Sequence, residues 1–330
     1  VAEQIKGCSF LITGGASLVG SHLADALLAA GAREVRLFDN LSLGTPETIA
    51  HLSGDARVSV IRGDILRLNE LIDALQGVQG VFALAGFLTL PLSQNPPLGV
   101  AVNTMGMVNT LEACRIAGVK RVVFSSSLSA YGNTDVDSIL ESTPYGGDGL
   151  PPASAIYGST KLLGEALGLF YRQKHGIEFN ALRFSSIYGE RQHLRALNAL
   201  FIVQAYEEIR QGRPPVIVGD GTEVHDYIHV ADIAAGCVAA MASQAHGHVF
   251  NIATGIDTNL NQIVDILLEL SGRRDLKPKH QADTRTVRSS SVTKLNISRA
   301  KAEALLGWTP KIGVREGIER LIRWREQTGG

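Results

Sequence analysis

A doubly wound α/β fold with a parallel sheet, completed by a smaller mixed α/β lobe, is the architecture this chain predicts. The apolar run Gly7–Ile12, the glycine turn Thr13–Gly20 and the helix-forming stretch Ser21–Ala30 follow one another without a break. Short apolar strands and helical stretches then alternate strictly as far as Tyr188, and beyond Gly189 the alternation loosens. Strict alternation implies parallel strands joined by crossover helices, with ligands outside the carboxyl ends of the strands. The chain therefore divides into residues 1–189, which bind a dinucleotide and carry the chemistry, and residues 190–330, which mainly bind substrate. Either Pro215–Val218 or Val249–Ala253 is apolar enough to rejoin the main sheet.

Taken in order, Glu34–Asp39 is the second strand and ends in an acid, and Val58–Asp64 is the third. Leu66–Gln76 supplies a crossover helix to Gly80–Gly86, the fourth strand. Pro97–Ala117 has helical spacing through Val100, Val108, Leu111 and Ile116, and Gly118 stops it. Arg121–Ser127 is the fifth strand, Tyr157–Lys174 a helix and Phe179–Tyr188 the sixth strand. In the second part Ala196–Gln211 and Asp232–Ser243 read as helices, as does Asn259–Leu270 with Thr258 as its cap. Ser298–Leu306 and Val314–Gln327 are amphipathic helices.

Composition excludes several function classes. The 330 residues are 45% hydrophobic with a net charge of −1, enough for one large core and too balanced for a nucleic-acid partner. Cys8, Cys114 and Cys237 are odd in number and lack metal-ligand spacing, which predicts reduced thiols, no metal and a cytoplasmic setting. Gln4, Lys6 and Gly7 precede only a six-residue apolar run, so no signal peptide is expected there. Val81–Leu92 is too short to span a bilayer and is interrupted by Gly86 and Pro91, so no membrane association is expected.

The turn Gly14-Gly15-Ala16-Ser17-Leu18-Val19-Gly20 lies between strand and helix, where backbone amides and the helix N-terminus can hold a pyrophosphate. This is the start of a Rossmann-type sheet. Asp39, nineteen residues after Gly20, can accept hydrogen bonds from ribose hydroxyls and would repel a 2′-phosphate, which favours NAD over NADP. Ser17 occupies the middle position where a glycine is usual, and two placements fit it. Its hydroxyl either faces the pyrophosphate or is turned away.

Thr13–Gly20, Asp39-Asn40-Leu41, Gly63-Asp64-Ile65, Asn103, Ser125-Ser126-Ser127, Tyr157-Gly158-Ser159-Thr160-Lys161 and Tyr188-Gly189 together resemble the extended short-chain dehydrogenase/reductase family. Within it the chain resembles the NAD-dependent epimerase/dehydratase branch, over essentially its whole length to Leu306-Gly307-Trp308-Thr309-Pro310. The resemblance implies that Asp64 and Ile65 flank the adenine and that Asn103 lies at the active-site end of its helix. It also implies a cofactor site that takes in Asn40, Leu84, Ala85 and Gly86. A homodimer through Pro97–Ala117 and Tyr157–Lys174 follows from it as well.

Tyr157 and Lys161 stand four apart, so they share one face of a helix. A lysine cation there favours the phenolate and lowers the phenol pKa, making Tyr157 a base for a substrate hydroxyl that Ser127 holds. By resemblance Lys161 also bonds the nicotinamide ribose. Dehydratases of the branch carry an Asp-Glu pair just after the catalytic hydroxyl; Leu128-Ser129 stand here and disfavour dehydration. Two further departures concern substrate. Ser186 stands where 4-epimerases place an asparagine, and His225 stands where an arginine usually grips the diphosphate. Arg191, His193, Arg195, Arg285 and Arg288 are candidates to restore that positive charge, so Ser186, Arg191, His225 and Arg288 are the expected substrate contacts along with Ser127. The predicted activity is an NAD-dependent epimerase of a sugar or nucleotide sugar. The alternatives are a dehydrogenase of a smaller alcohol, sugar acid or non-nucleotide sugar, and an NAD-sensing scaffold.

Overall fold

The computed structural model describes residues 2–192, 200–283 and 295–328. Its central sheet is built from β1 (Ser9–Thr13), β2 (Glu34–Asp39), β3 (Val58–Arg62), β4 (Gly80–Ala83), β5 (Arg121–Ser127) and β6 (Glu178–Phe184). After β7 (Ser186–Tyr188), β8 (Val216–Val218) and β9 (Val224–His229), the chain returns to that sheet as β10 (His248–Ile252). The order is β10-β6-β5-β4-β1-β2-β3, and every pair is parallel. Every residue of the central strands β1 and β4 is buried, whereas β3 at the rim leaves Val60 exposed. Strands covered on both faces read as nearly continuous apolar runs, and an edge strand does not.

The helices are α1 (Ala2–Ile5), α2 (Leu18–Ala29), α3 (Pro46–Ile49), α4 (Leu68–Ala74), α5 (Thr89–Gln94), α6 (Pro96–Ala117) and α7 (Pro152–His175). They continue as α8 (Leu200–Arg210), α9 (Val230–Ala242), α10 (Leu260–Leu270), α11 (Ala300–Leu306) and α12 (Val314–Thr328). α1, α2 and α9 cover one face of the sheet, and α4, α6 and α7 the other. Glycines set the distance of α7. A Cβ at Gly164 would sit 2.5 Å from the Phe124 ring, and one at Gly168 only 2.1 Å from Phe179. The helix lies against β5 and β6 more closely than side chains would allow, which brings Tyr157 and Lys161 onto the end of β5.

Two smaller sheets and a separate core complete the chain. β11 (Asp257–Asn259) pairs antiparallel with β9, which pairs parallel with β7, and β12 (Lys279–Gln281) pairs with β8. α8, α10 and α12 bury Ile202, Tyr206, Ile263, Leu267, Ile318 and Leu321 between them. Asp232 accepts the Lys311 and Ile312 amides, and its carbonyl takes the Trp308 indole N–H. Three sequence expectations change. The sixth strand is two strands in different sheets, because the Ser185 amide turns to the Ile252 carbonyl and β7 leaves to pair with β9. α10 is capped by Asn259 instead of Thr258, in a reciprocal box with Gln262. The helix bearing Tyr157 begins at Pro152, placing the tyrosine in its second turn. Among the described residues no helix is long and apolar enough to cross a membrane.

Candidate active site

The turn after β1 is held from three directions. Asp39 accepts the Ala16 amide at 2.9 Å and the Leu41 amide at 2.8 Å. The Thr45 amide bonds to the Ala16 carbonyl, so residues 40–45 fold back over the turn, with Leu41 at a positive φ of 61°. A Cβ on Gly20 would lie 2.6 Å from the Gly14 and Gly15 carbonyls, so α2 starts directly on the turn only because this residue is glycine.

Ser17 is the N-cap of α2. Its Oγ accepts the Gly20 amide at 3.1 Å, and its backbone is extended at φ −87°. A conformation any residue adopts explains why glycine is dispensable here. The amides of Leu18 and Val19, which open the helix, have no intrahelical acceptor and suit an anion. Because Gly costs only a few tenths of a kcal/mol relative to Ser at an N-cap, Ser17→Gly is expected to change NAD affinity less than about threefold by calorimetric titration. A tenfold loss would instead assign the hydroxyl to the pyrophosphate.

A groove of about 570 Å³ opens beside the turn, lined by Gly14, Ser17, Asp39, Asn40, Asp64, Ile65, Leu84, Ala85 and Gly86 among others. Gly63 of the Gly63-Asp64-Ile65 motif also lines it, as do Phe38, Ser42, Leu43, Gly44, Phe87 and Val102, which were not picked out from sequence. The only local sign of Gly44 is the Leu-Gly turn, where a Cβ would sit 2.9 Å from the Ala16 carbonyl. An adjoining cavity shares Ile65 and Ala85 and reaches Asn103 and Lys161. Asn103 accepts the Phe87 amide at 2.7 Å and donates to the Phe87 carbonyl and the Thr160 hydroxyl. It thus clamps the loop after β4 against α7. Glycine close approach, orphan amides and a buried carboxylate at the end of β2 fit NAD at this groove.

Tyr157 and Lys161 are 5% and 7% exposed, and Tyr157 lies beside Ser127. The Ser127 hydroxyl faces the Tyr157 phenol, donates to the Ser129 hydroxyl and accepts the Ser129 amide. Lys161 Nζ donates to the Ser125 carbonyl at 2.7 Å and lies 5.7 Å from the Tyr157 ring centre. Burial pushes the Tyr157 phenol up to about 12, with the Ser127 hydrogen bond opposing. Burial also brings Lys161 down to about 8, with Glu165 opposing. The expectation that the Lys161 cation lowers the phenol pKa is therefore corrected. Desolvation dominates both groups, and the ammonium is turned toward a carbonyl.

Substrate-side candidates are less gathered. Ser186 lies in β7 opposite Tyr227. His225 is buried, with Nε2 2.8 Å from the Glu223 carboxylate. Arg191 pairs with Asp25 at 2.5 Å and lies 3.0 Å from His51, tying the segment after β7 to α2. His193, Arg195, Arg285 and Arg288 lie outside the described residues.

Residues 10–253 match a model of the NAD dependent epimerase/dehydratase family. The chain is 31% identical over 318 residues to a putative UDP-glucose 4-epimerase of Methanocaldococcus jannaschii, covering 95% of this chain and 97% of that one. A UDP-glucose 4-epimerase of Thermotoga maritima, solved with UDP-glucose, superposes with a TM-score of 0.86 at 28% identity, covering 98% of this chain and all of that one. A dTDP-glucose 4,6-dehydratase of Streptomyces venezuelae, solved with NAD, superposes with a TM-score of 0.85 at 26% identity, covering 97% of each.

Proposed function

The chain belongs to the NAD dependent epimerase/dehydratase family, and from that premise we propose that it epimerises a nucleotide sugar by transient oxidation of one ring hydroxyl. It is an NAD-dependent enzyme of the extended short-chain dehydrogenase/reductase type. The observation that carries the reading is the convergence of Ser127, Tyr157 and Lys161 at the end of β5. Bound NAD supplies a hydride acceptor and donor at the substrate carbon. Ser127 holds the reacting hydroxyl, Tyr157 takes and returns its proton, and Lys161 supplies the positive charge that this exchange needs. The two residues after Ser127 are Leu128 and Ser129, and neither carries a carboxyl to remove a carbon-bound proton or expel water. That separates the proposal from dehydration.

We assign cofactor binding and chemistry to residues 1–189 and substrate binding mainly to residues 190–330. A second reading, net dehydrogenation of a non-nucleotide sugar or sugar acid, draws on His225. Its ring is engaged by Glu223, which places a carboxylate beside the position expected to meet a diphosphate. Incubation with UDP-glucose and UDP-galactose, following product identity and absorbance at the NADH band, separates the two. Interconversion without net NADH supports epimerisation, and net NADH from a free sugar supports the second reading.

The assembly we infer is a homodimer through α6 and α7, which pack together and leave Met105, Ile116, Leu163 and Phe170 between 44% and 52% exposed. Leu163→Glu with Phe170→Glu is expected to shift the sedimentation coefficient to that of a monomer at micromolar concentration. An unchanged coefficient would remove this interface. Buried, unpaired Cys114 and Cys237 fit a reducing cytoplasm.

A further inference from the structure

The helix that bears Tyr157 and Lys161 carries a third buried polar group at the same spacing. Glu165 continues the interval of four, so the three side chains share the face of α7 pressed against the sheet. Its carboxylate accepts hydrogen bonds of 2.8 and 2.7 Å from the Arg183 guanidinium of β6 and one of 2.5 Å from the Ser126 hydroxyl of β5. Arg183 lies 4.4 Å from the centre of the Tyr131 ring and donates to the Glu141 carbonyl. Both members of the pair are 5% exposed.

Apolar residues of similar volume hold a helix on a sheet as well as a buried ion pair does, so stability alone is a weak reason for this one. Its neighbours give a better one. Ser126 lies between Ser125, whose carbonyl receives Lys161, and Ser127, whose hydroxyl meets Tyr157. Glu165 thus reaches the site along α7 to Lys161, and across to β5 through Ser126. We propose that Glu165, clamped by Arg183, is a positioning residue that keeps Lys161 an ammonium ion and fixes the strand end presenting Ser127. The inference rests on the roles given above to Tyr157 and Lys161.

Among the described residues the surroundings of Lys161 leave this task to Glu165. On its own helix Tyr157 is a neutral phenol at neutral pH. Across the cavity stand Asn103 of α6 and Thr13 of β1, both uncharged, and Phe124 of β5 lies 5.1 Å from the ammonium. Behind them are Arg183 of β6, Tyr131 of the turn after β5 and Glu141. The Glu165 charge, one helical turn along α7, opposes the loss of the proton that burial promotes.

Removing Glu165 alone would leave Arg183 buried without its partner, so the test replaces both, as Glu165→Gln with Arg183→Met. Lys161 is followed through its side-chain ¹³Cε signal in lysine-labelled protein, identified by its loss in Lys161→Met, and turnover of UDP-glucose is followed against pH. An ammonium is present below its pKa, so activity that needs it falls as pH rises through that value. In the double variant the Lys161 midpoint is expected to fall by about one pH unit, and the alkaline limb of kcat to move with it. Turnover at pH 8 then drops roughly tenfold against that at pH 6, with KM unchanged. Ser126→Ala keeps the charges, and is expected to lower kcat severalfold at every pH with the midpoint unmoved.

A folded double variant with an unmoved midpoint overturns the proposal. If that variant does not fold, Glu165→Asp keeps the ion pair and draws the charge back by one methylene. A fall of a few tenths of a pH unit in its midpoint supports the proposal, and none overturns it. The lysine titration needs no substrate. Failure of the unaltered protein to turn over UDP-sugars would therefore count against the epimerase reading and leave the role of Glu165 to be decided by the titration.

Discussion

Tyr157→Phe is expected to reduce kcat by at least about 10³-fold while NAD affinity stays within about threefold, since a positioned proton donor and acceptor contributes about 10²–10⁴. Phenylalanine keeps the ring that packs beside Lys161 and removes only the hydroxyl that meets Ser127. The fold has little reason to respond, because the ring is the buried part and the lost hydrogen bond is to a hydroxyl that retains Ser129. With its phenol pushed up to about 12, Tyr157 is protonated in the resting protein and suited to return a proton to an alkoxide. The opposite transfer needs the positive charge of Lys161 and the Ser127 hydrogen bond to act together. Quenched-flow product analysis and calorimetric NAD titration check the two halves of the expectation. Residual turnover above about one per cent of the unaltered protein would move the proton to another group.

Asp39→Ala is expected to weaken NAD binding by about 10²–10³-fold, since hydrogen bonds to a charged group contribute about 1.5–3 kcal/mol each and more than one is lost. The proposed ribose contact would come on top of a structural role of the carboxylate. Each oxygen already accepts a backbone amide, from Ala16 in the phosphate turn and from Leu41 in the loop that folds over it. Each oxygen keeps a lone pair for a ribose hydroxyl. Alanine would strand both amides and loosen the turn as well as losing the ribose contact. Burial raises the Asp39 pKa, with the two amide hydrogen bonds opposing, so NAD affinity should weaken on acidification at a higher pH than an ordinary aspartate would produce. Fluorescence titration of NAD from pH 7 downward measures both effects. An affinity within tenfold of the unaltered protein would confine Asp39 to holding the turn.

Features written in contiguous residues were legible from sequence. The strand, turn and helix around Gly14–Gly20 need no distant partner to be recognised, and a four-residue interval on a helix puts Tyr157 beside Lys161 wherever that helix lies. Features decided by distant partners were not. β7, β9 and β11 belong to a sheet of which two strands have only three residues, too few to show a period, so Phe179–Tyr188 read as one strand. Arg191 finds Asp25 and His51, partners 166 and 140 positions away, and its charge said nothing about that choice. The enclosure of Tyr157 and Lys161 depends on α6, β5 and the glycines of α7 arriving together, which is why the direction of the phenol shift was missed. The Asn259 cap was readable. Gln262, three residues on, marks the reciprocal box, whereas Thr258 has Asn261 at that spacing.

The return of β10 to the sheet has a consequence for biosynthesis. A chain emerging N-terminus first completes every strand from β1 to β6 well before His248–Ile252 has been made. Throughout that interval β6 presents an unpaired edge carrying Phe179, Ala181 and Leu182, and for most of it α9 is not yet there to pack beside α2. Such an edge invites pairing with a neighbouring nascent chain. Vectorial synthesis therefore leaves this edge open until residues 248–252 have been made.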